Sequence, residues 1–178
     1  MTQLKQPITK DDHIQGKMDA LVSLVLYGDY QCPYTRLTIT HINALQRRFG
    51  DQLAFVYRHF PAPPEIHPFA RPAAEAALAA AAQGKFWEMH TLIFRNQLTL
   101  DNDNFPTYAA QLSLDLVRFR QELANHTHEP RMWRDLQGGW ESGVRGAPVL
   151  FINNERFEGT PNLANLIASV EQSLANAY

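Results

Sequence analysis

Residues 21–35 read Leu21-Val22-Ser23-Leu24-Val25-Leu26-Tyr27-Gly28-Asp29-Tyr30-Gln31-Cys32-Pro33-Tyr34-Thr35, and this stretch decides the fold. Leu21 to Tyr27 is a near-continuous β-prone run, as expected of a strand buried on both faces. Gly28-Asp29 breaks it. Pro33 then marks a helix start, because the first helical position has no partner for an N–H that proline lacks. A helix is predicted over 33–49, with Leu37, Ile42, Leu45 and Phe49 facing inward and Gly50 as the stop. Leu53-Ala54-Phe55-Val56-Tyr57-Arg58 reads as a second strand. The opening therefore spells β–α–β, a unit that pairs its strands in parallel through a right-handed crossover.

Outward from this unit the character changes. Residues 1–19 form a polar lead-in. Pro61, Pro63, Pro64 and Pro68 make a stiff loop. Helical segments are predicted at roughly 70–83, 85–97, 104–112 and 115–124, with Gly84, Asp101 to Asn104 and Ser113 between them. The alanine run at 73–82 reads as helix packing. Another helix runs from about Pro130 to Trp140. Strand character returns at Pro148-Val149-Leu150-Phe151-Ile152, Asn153-Asn154 suits a tight turn, and Arg156-Phe157-Glu158 returns as a short antiparallel strand. Thr160-Pro161 signals the last helix, with Thr160 as cap and Leu163, Leu166, Ile167, Val170 and Leu174 on one face. The expected division is one domain built from residues 1–64 and 126–178, carrying an inserted helical subdomain at 65–125.

Composition narrows the function classes. The chain has 178 residues, 16 Lys and Arg against 18 Asp and Glu, and a formal net charge of -2. That balance lacks the basic surplus of a nucleic-acid binder, and no nucleic-acid partner is expected. Met1 to Gln15 has no apolar core or small-residue cleavage site, and Leu21 to Tyr27 is too short to span a bilayer. No membrane partner is expected, and the chain reads as cytoplasmic, with a periplasmic location the alternative if a leader was trimmed. The single cysteine rules out an intramolecular disulfide and fits a reducing compartment.

The chemistry gathers at that cysteine. A lone cysteine is by composition a small buried apolar residue. The strand–turn–Cys-Pro–helix context reverses this reading. It places Cys32 at or beside the helix N-cap, where unpaired amides and the positive end of the helix dipole stabilise an anion. Cysteines so placed ionise more readily, and the thiolate is the reactive form. The sulfur is expected to be exposed there. Thr35, three residues on, is expected to donate a hydrogen bond to it. Thr35 cannot act as a second cysteine would, so a mixed disulfide on Cys32 must be resolved by an outside thiol. Tyr30 and Tyr34 flank the cysteine and are candidates to line a substrate groove.

Four segments resemble the DsbA-like oxidoreductases of the thioredoxin superfamily. Asp12-His13-Ile14-Gln15-Gly16 is similar to a D-H-x-x-G lead-in. Gly28-Asp29-Tyr30-Gln31-Cys32-Pro33-Tyr34 is similar to the G-D-[FY]-x-C-P-[YF] active-site segment. Gln83-Gly84-Lys85-Phe86-Trp87-Glu88-Met89-His90 is similar to Q-G-x-F-W-x-x-H in the family's helical insertion. Ser142-Gly143-Val144-Arg145-Gly146-Ala147-Pro148 with Phe151-Ile152-Asn153 is similar to S-G-V-x-G-T-P followed by F-[IF]-N-G. The resemblance runs from about residue 12 to 174. It implies an α/β thioredoxin fold with a helical insertion between its β-α-β and β-β-α halves. It also implies that Pro148 is a cis proline lying against the cysteine, with Ala147 presenting a backbone edge to an extended peptide. Two positions depart from the pattern: Thr35 stands where the family has its second active-site cysteine, and Ala147 where threonine is commoner.

The expected activity is thiol–disulfide oxidoreduction through Cys32, helped by Pro33 and Thr35, with Tyr30, Tyr34, Ala147 and Pro148 toward substrate. Protein or peptide thiols and disulfides are the expected partners. No bound cofactor is expected, and glutathione is a candidate co-substrate. Two alternatives stay open: a glutathione-dependent transferase or isomerase using Thr35 or Tyr34, and a non-catalytic peptide-binding module using the Ala147-Pro148 edge. No metal site is expected, since the seven histidines show no zinc-type spacing. His59 and His67 read as solvated residues flanking the proline loop, and His90 as a packed helix residue.

Overall fold

The computed structural model describes residues 2–177. Five strands and seven α-helices run in the order β1 (His13–Gln15), β2 (Val22–Gly28), α1 (Pro33–Phe49), β3 (Leu53–His59), α2 (Ala70–Ala81), α3 (Phe86–Arg95), α4 (Asn104–Gln111), α5 (Leu116–Ala124), α6 (Glu129–Glu141), β4 (Val149–Ile152), β5 (Glu155–Arg156) and α7 (Leu163–Ala175) among the described residues. The sheet order is β1-β3-β2-β4-β5. β2 and β3 are parallel, from Val22 opposite Leu53 to Gly28 opposite His59. The other pairs are antiparallel. This is a thioredoxin fold, with α2 to α5 inserted after β3.

The period of two along β2 explains the layers. Leu24 and Leu26 enter a core with Ile42 and Leu45 of α1, Val170 of α7 and Phe55 and Tyr57 of β3. Val25 and Tyr27 point to the opposite face, against Val56, Phe60, Leu136, Val144 and Phe151. Both faces of the strand are thus covered, as its near-continuous apolar run requires. The alanines of α2 join the first core together with Met89, Ile93 and Phe94 of α3. Small side chains there let α2 approach closely.

Four details of these elements differ from the sequence reading. The return strand β5 is Glu155–Arg156 and stops before Phe157 and Glu158. Leu37 is 55% exposed, because the inward stripe of α1 runs through Thr38, Ile39, Ile42 and Leu45 instead. The last helix begins at Leu163, not after a Thr160 cap; Asn162 is its N-cap and its side chain accepts from the Asn165 N–H at 2.9 Å. The lead-in carries a strand, since β1 pairs with β3. An ion pair holds it there. Buried Arg58 donates from Nε and Nη2 to the two carboxylate oxygens of Asp12, at 2.9 and 3.0 Å. Its remaining hydrogens reach the carbonyls of Gln6 and Pro7 and the Tyr27 hydroxyl.

His13, His59 and His90 gather around Tyr30, Tyr57 and Phe86. His59, read from the sequence as solvated, is fully enclosed, because it ends β3 beneath α3 and α6. Burial holds His13 and His90 down to about 3, with the charge of Arg131 adding to the effect on His13, and holds His59 well below the usual imidazole range. The unfolded chain takes up these protons near 6.5. Between about pH 6.5 and 3 it therefore binds more protons than the folded one, and stability falls as pH drops through that window. Burial pushes Asp12 up, but the Arg58 hydrogen bonds outweigh it and hold it below its ordinary value, which acts in the same direction. Asp135 opposes them. Burial, outweighing Arg131 beside it, lifts it to about 6, so its contribution is present below 3.8 and lost as pH rises through 6. The histidines outnumber it. Urea unfolding should give a lower midpoint at pH 4 than at pH 7, and His59→Phe should make the acid limb shallower. Equal midpoints would contradict the enclosed-imidazole account.

Candidate active site

β2 delivers the chain to a tight turn, and the turn delivers it to α1. Gly28 closes the strand where space is short: a Cβ there would lie 2.6 Å from the Tyr57 ring. Asp29 then organises the turn. Its Oδ1 accepts from the Gln31 N–H at 2.7 Å and its backbone oxygen from the Cys32 N–H at 3.1 Å. Its Oδ2 accepts from the Ala62 N–H at 2.8 Å and meets His67 Nδ1 at 2.7 Å. The proline loop is thereby tied to the Cys32 turn by one buried carboxylate.

Cys32 is the N-cap residue of α1, and Pro33 occupies the first turn. The sulfur takes no hydrogen bond from the first-turn amides. As a thiol it donates to the Ala147 carbonyl at 3.5 Å. Ala147 precedes Pro148, and the peptide bond between them is cis. The structure therefore brings Cys32, Pro33, Ala147 and Pro148 together. Cys32 is 6% exposed, not open to solvent as the sequence reading expected. The Ala147 loop covers it, and access is through a cleft of about 400 Å³ lined by Cys32, Asp29, His67, Arg71, Trp133 and Ala147 among others.

The remaining site residues separate. Thr35 is fully buried, and its hydroxyl accepts from the Asp29 N–H at 3.3 Å. No hydrogen bond joins it to the sulfur among the described residues, contrary to expectation; the hydroxyl lies against the strand end instead. Tyr34 is 71% exposed at the mouth of the turn. Tyr30 is 1% exposed and lines no groove. Its ring is packed among Tyr57, His90 and Phe94, and its hydroxyl meets His90 Nδ1 at 3.0 Å. Tyr30 precedes the turn and packs inward, whereas Tyr34 lies in the first turn of α1 and faces solvent.

Sequence reasoning missed four residues. Asp29 was read as a strand breaker, although Asp before a turn is the signal for a side chain bonding the amide two residues on. His67 was read as solvated; the Asp29 carboxylate holds it at the cleft wall. Trp133, on the predicted helix from Pro130 to Trp140, is 37% exposed, with the Arg71 guanidinium 5.0 Å from its ring. Gln97, in a short 3-10 turn after α3, donates its side-chain amide to the Tyr30 and Cys32 carbonyls, at 2.8 and 3.0 Å. Nothing in its local sequence marks that role.

The family model described as Thioredoxin matches residues 8–172. The chain belongs to the thioredoxin family. Among solved structures, this thioredoxin-family chain is similar to oxidised BdbD from Bacillus subtilis, with a TM-score of 0.83 at 20% identity over 96% of both chains. It is similar to α-DsbA1 from Wolbachia pipientis, with a TM-score of 0.80 at 17% identity over 98% of this chain and 96% of that one. At that identity the likeness is one of fold. Among curated proteins it is 39% identical to Na(+)/H(+) antiporter NhaA 1 of Salinispora arenicola, over 97% of this chain and 26% of the relative. It is 35% identical to NhaA of Herminiimonas arsenicoxydans, over 96% of this chain and 27% of the relative. The chain spans about a quarter of the length of the curated relatives it matches.

The two tyrosines make a direct test of the site's geometry. Tyr30→Ala should cost about 3–5 kcal/mol of folding stability, the range for emptying a large aromatic site. Tyr34→Ala should stay within about 0.5 kcal/mol, as for an exposed residue away from special contacts. Urea denaturation of both variants measures this, and a reversed order would overturn the assignment of which ring is packed.

Proposed function

We propose that the chain is a thiol–disulfide oxidoreductase acting through the single thiol of Cys32. The observation that carries this reading is the placement of the sulfur. It belongs to the N-cap residue of a helix, opens into a cleft and lies 3.5 Å from the carbonyl that precedes the cis proline. The Cys32 thiolate attacks a mixed disulfide, for example a glutathionylated protein. One S–S bond forms to Cys32 as another breaks, and the displaced thiolate leaves. A free thiol such as glutathione then attacks the new bond and releases Cys32. Thr35 stands where an intramolecular resolving thiol would be needed, so the cycle requires the external one. A reducing compartment suits such a thiol.

The cleft supports a protein or peptide substrate. Ile66, Trp133 and Trp140 present apolar surface along it, and Arg71 and Arg145 add positive charge. The transferase alternative is weakened by the burial of Thr35, which takes one of its two hydroxyl candidates away from a ligand. Ion antiport is not proposed for this chain, which matches only about a quarter of the antiporters' length.

Incubation with oxidised glutathione followed by intact-mass measurement tests the reading. Wild type should gain one glutathionyl group and lose it on adding free thiol, and Cys32→Ser should gain none. An unmodified wild type would sink the oxidoreductase reading. Equal suppression of substrate aggregation by wild type and Cys32→Ser, with no adduct, would favour the peptide-binding alternative.

A further inference from the structure

We infer that His67 is a catalytic base for the external thiol that resolves the Cys32 mixed disulfide, with Asp29 as its positioning residue. This rests on the reading of Cys32 as the redox thiol. Three observations carry it. His67 Nδ1 lies 2.7 Å from Asp29 Oδ2, and the Asp29 carboxylate is almost fully buried. His67 lines the same cleft as Cys32, and its side chain keeps 24% of its surface open. The cycle also lacks an internal thiol, because the chain has one cysteine.

The tautomer follows from the partner. An ionised carboxylate only accepts, so Nδ1 carries the proton and donates it to Asp29. Nε2, at the opposite edge of the ring, is left with its lone pair and has no hydrogen-bond partner among the described residues. This is the orientation logic of a base held by a third group. Asp29 is itself fixed, since its oxygens also accept from the Gln31 and Ala62 amides. The charged and titratable groups that share the cleft with His67 are Asp29, Cys32, Arg71 and Arg145. The two guanidinium groups favour a thiolate forming there.

The step balances. Nε2 takes the proton of the incoming thiol. The resulting thiolate attacks the outer sulfur of the Cys32 mixed disulfide. A new S–S bond forms between the two external sulfurs, and the electron pair of the broken bond leaves on the Cys32 sulfur. The incoming thiol is oxidised and Cys32 is reduced. The proton on His67 then passes to Cys32 or to solvent. An intramolecular second cysteine would be held beside the disulfide. An outside thiol arrives protonated near neutral pH and gains most from a fixed base.

The test uses the full chain loaded with glutathione on Cys32 and β-mercaptoethanol as the resolving thiol. The rate is read by intact mass in wild type and His67→Gln. At pH 6.5 to 7 the variant should resolve the disulfide roughly 100-fold more slowly, the low end of what a positioned proton acceptor supplies. The gap should close toward pH 10, where solution ionises the thiol without help. Alkylation of free Cys32 by iodoacetamide should be alike in both, since it needs no incoming thiol. Equal resolution rates, or a deficit constant across pH, would overturn the role of His67. If His67→Gln fails to fold, wild type alone still decides: between about pH 7 and 8, above the ordinary imidazole range and below the ordinary thiol range, its rate should rise less than tenfold per pH unit, and a full tenfold rise there would mean that bulk thiolate is the only attacker. Failure to load glutathione at all would instead strike the oxidoreductase reading.

Discussion

One carboxylate organises the region where the chemistry is placed. Asp29 ends the central strand, and within a few ångströms it holds the turn that carries Cys32, the amide of Ala62 in the proline loop, and the His67 imidazole. Each of these groups would otherwise be a polar atom at the edge of an apolar core. A buried acceptor that satisfies three donors is worth far more than one surface ion pair, because each lost partner leaves an unpaired group without water. The price is a carboxylate enclosed by protein, and its several partners offset that cost. The Cys32 turn and the cleft wall are therefore one hydrogen-bonded unit.

The β–α–β opening, the hairpin at Asn153-Asn154 and the order of helices were legible in the sequence because each is written locally, in a period of two, a period near 3.6 or a turn residue. Asn153 and Asn154 do adopt positive φ, at 45° and 70°, as a tight hairpin demands. Cys32 and Pro33 were legible for the same reason, since a strand, a turn and a Cys-Pro step lie side by side in the chain. What escaped was what the tertiary structure decides. Nothing local says which of Tyr30 and Tyr34 turns inward, since both are half-apolar and flank the same turn. His59 and His67 are each followed by a phenylalanine and a proline, yet one ends a buried strand and the other meets a carboxylate 38 residues away. Leu37 looks like a core residue, but the sheet meets α1 one position further round.

The Arg58–Asp12 pair shows a second kind of long-range wiring. Arg58 sits on a strand buried on both faces, where an unpaired guanidinium would be costly. Its partners come from the polar lead-in, so a segment that packs Leu4, Ile8 and Ile14 on the core is held there by a buried guanidinium as well. A segment of low hydrophobicity is thus part of the folded body, and its strand β1 covers the edge of β3.

Gln97 extends this to the inserted helices. Its amide holds two carbonyls of the Cys32 turn from a segment otherwise devoted to helix packing. The insertion is therefore no interchangeable module. A chimaera that exchanged these helices for those of another thioredoxin-family protein would keep its hydrophobic fit and still release the Cys32 peptide, unless an amide donor of the same reach stood at that one position.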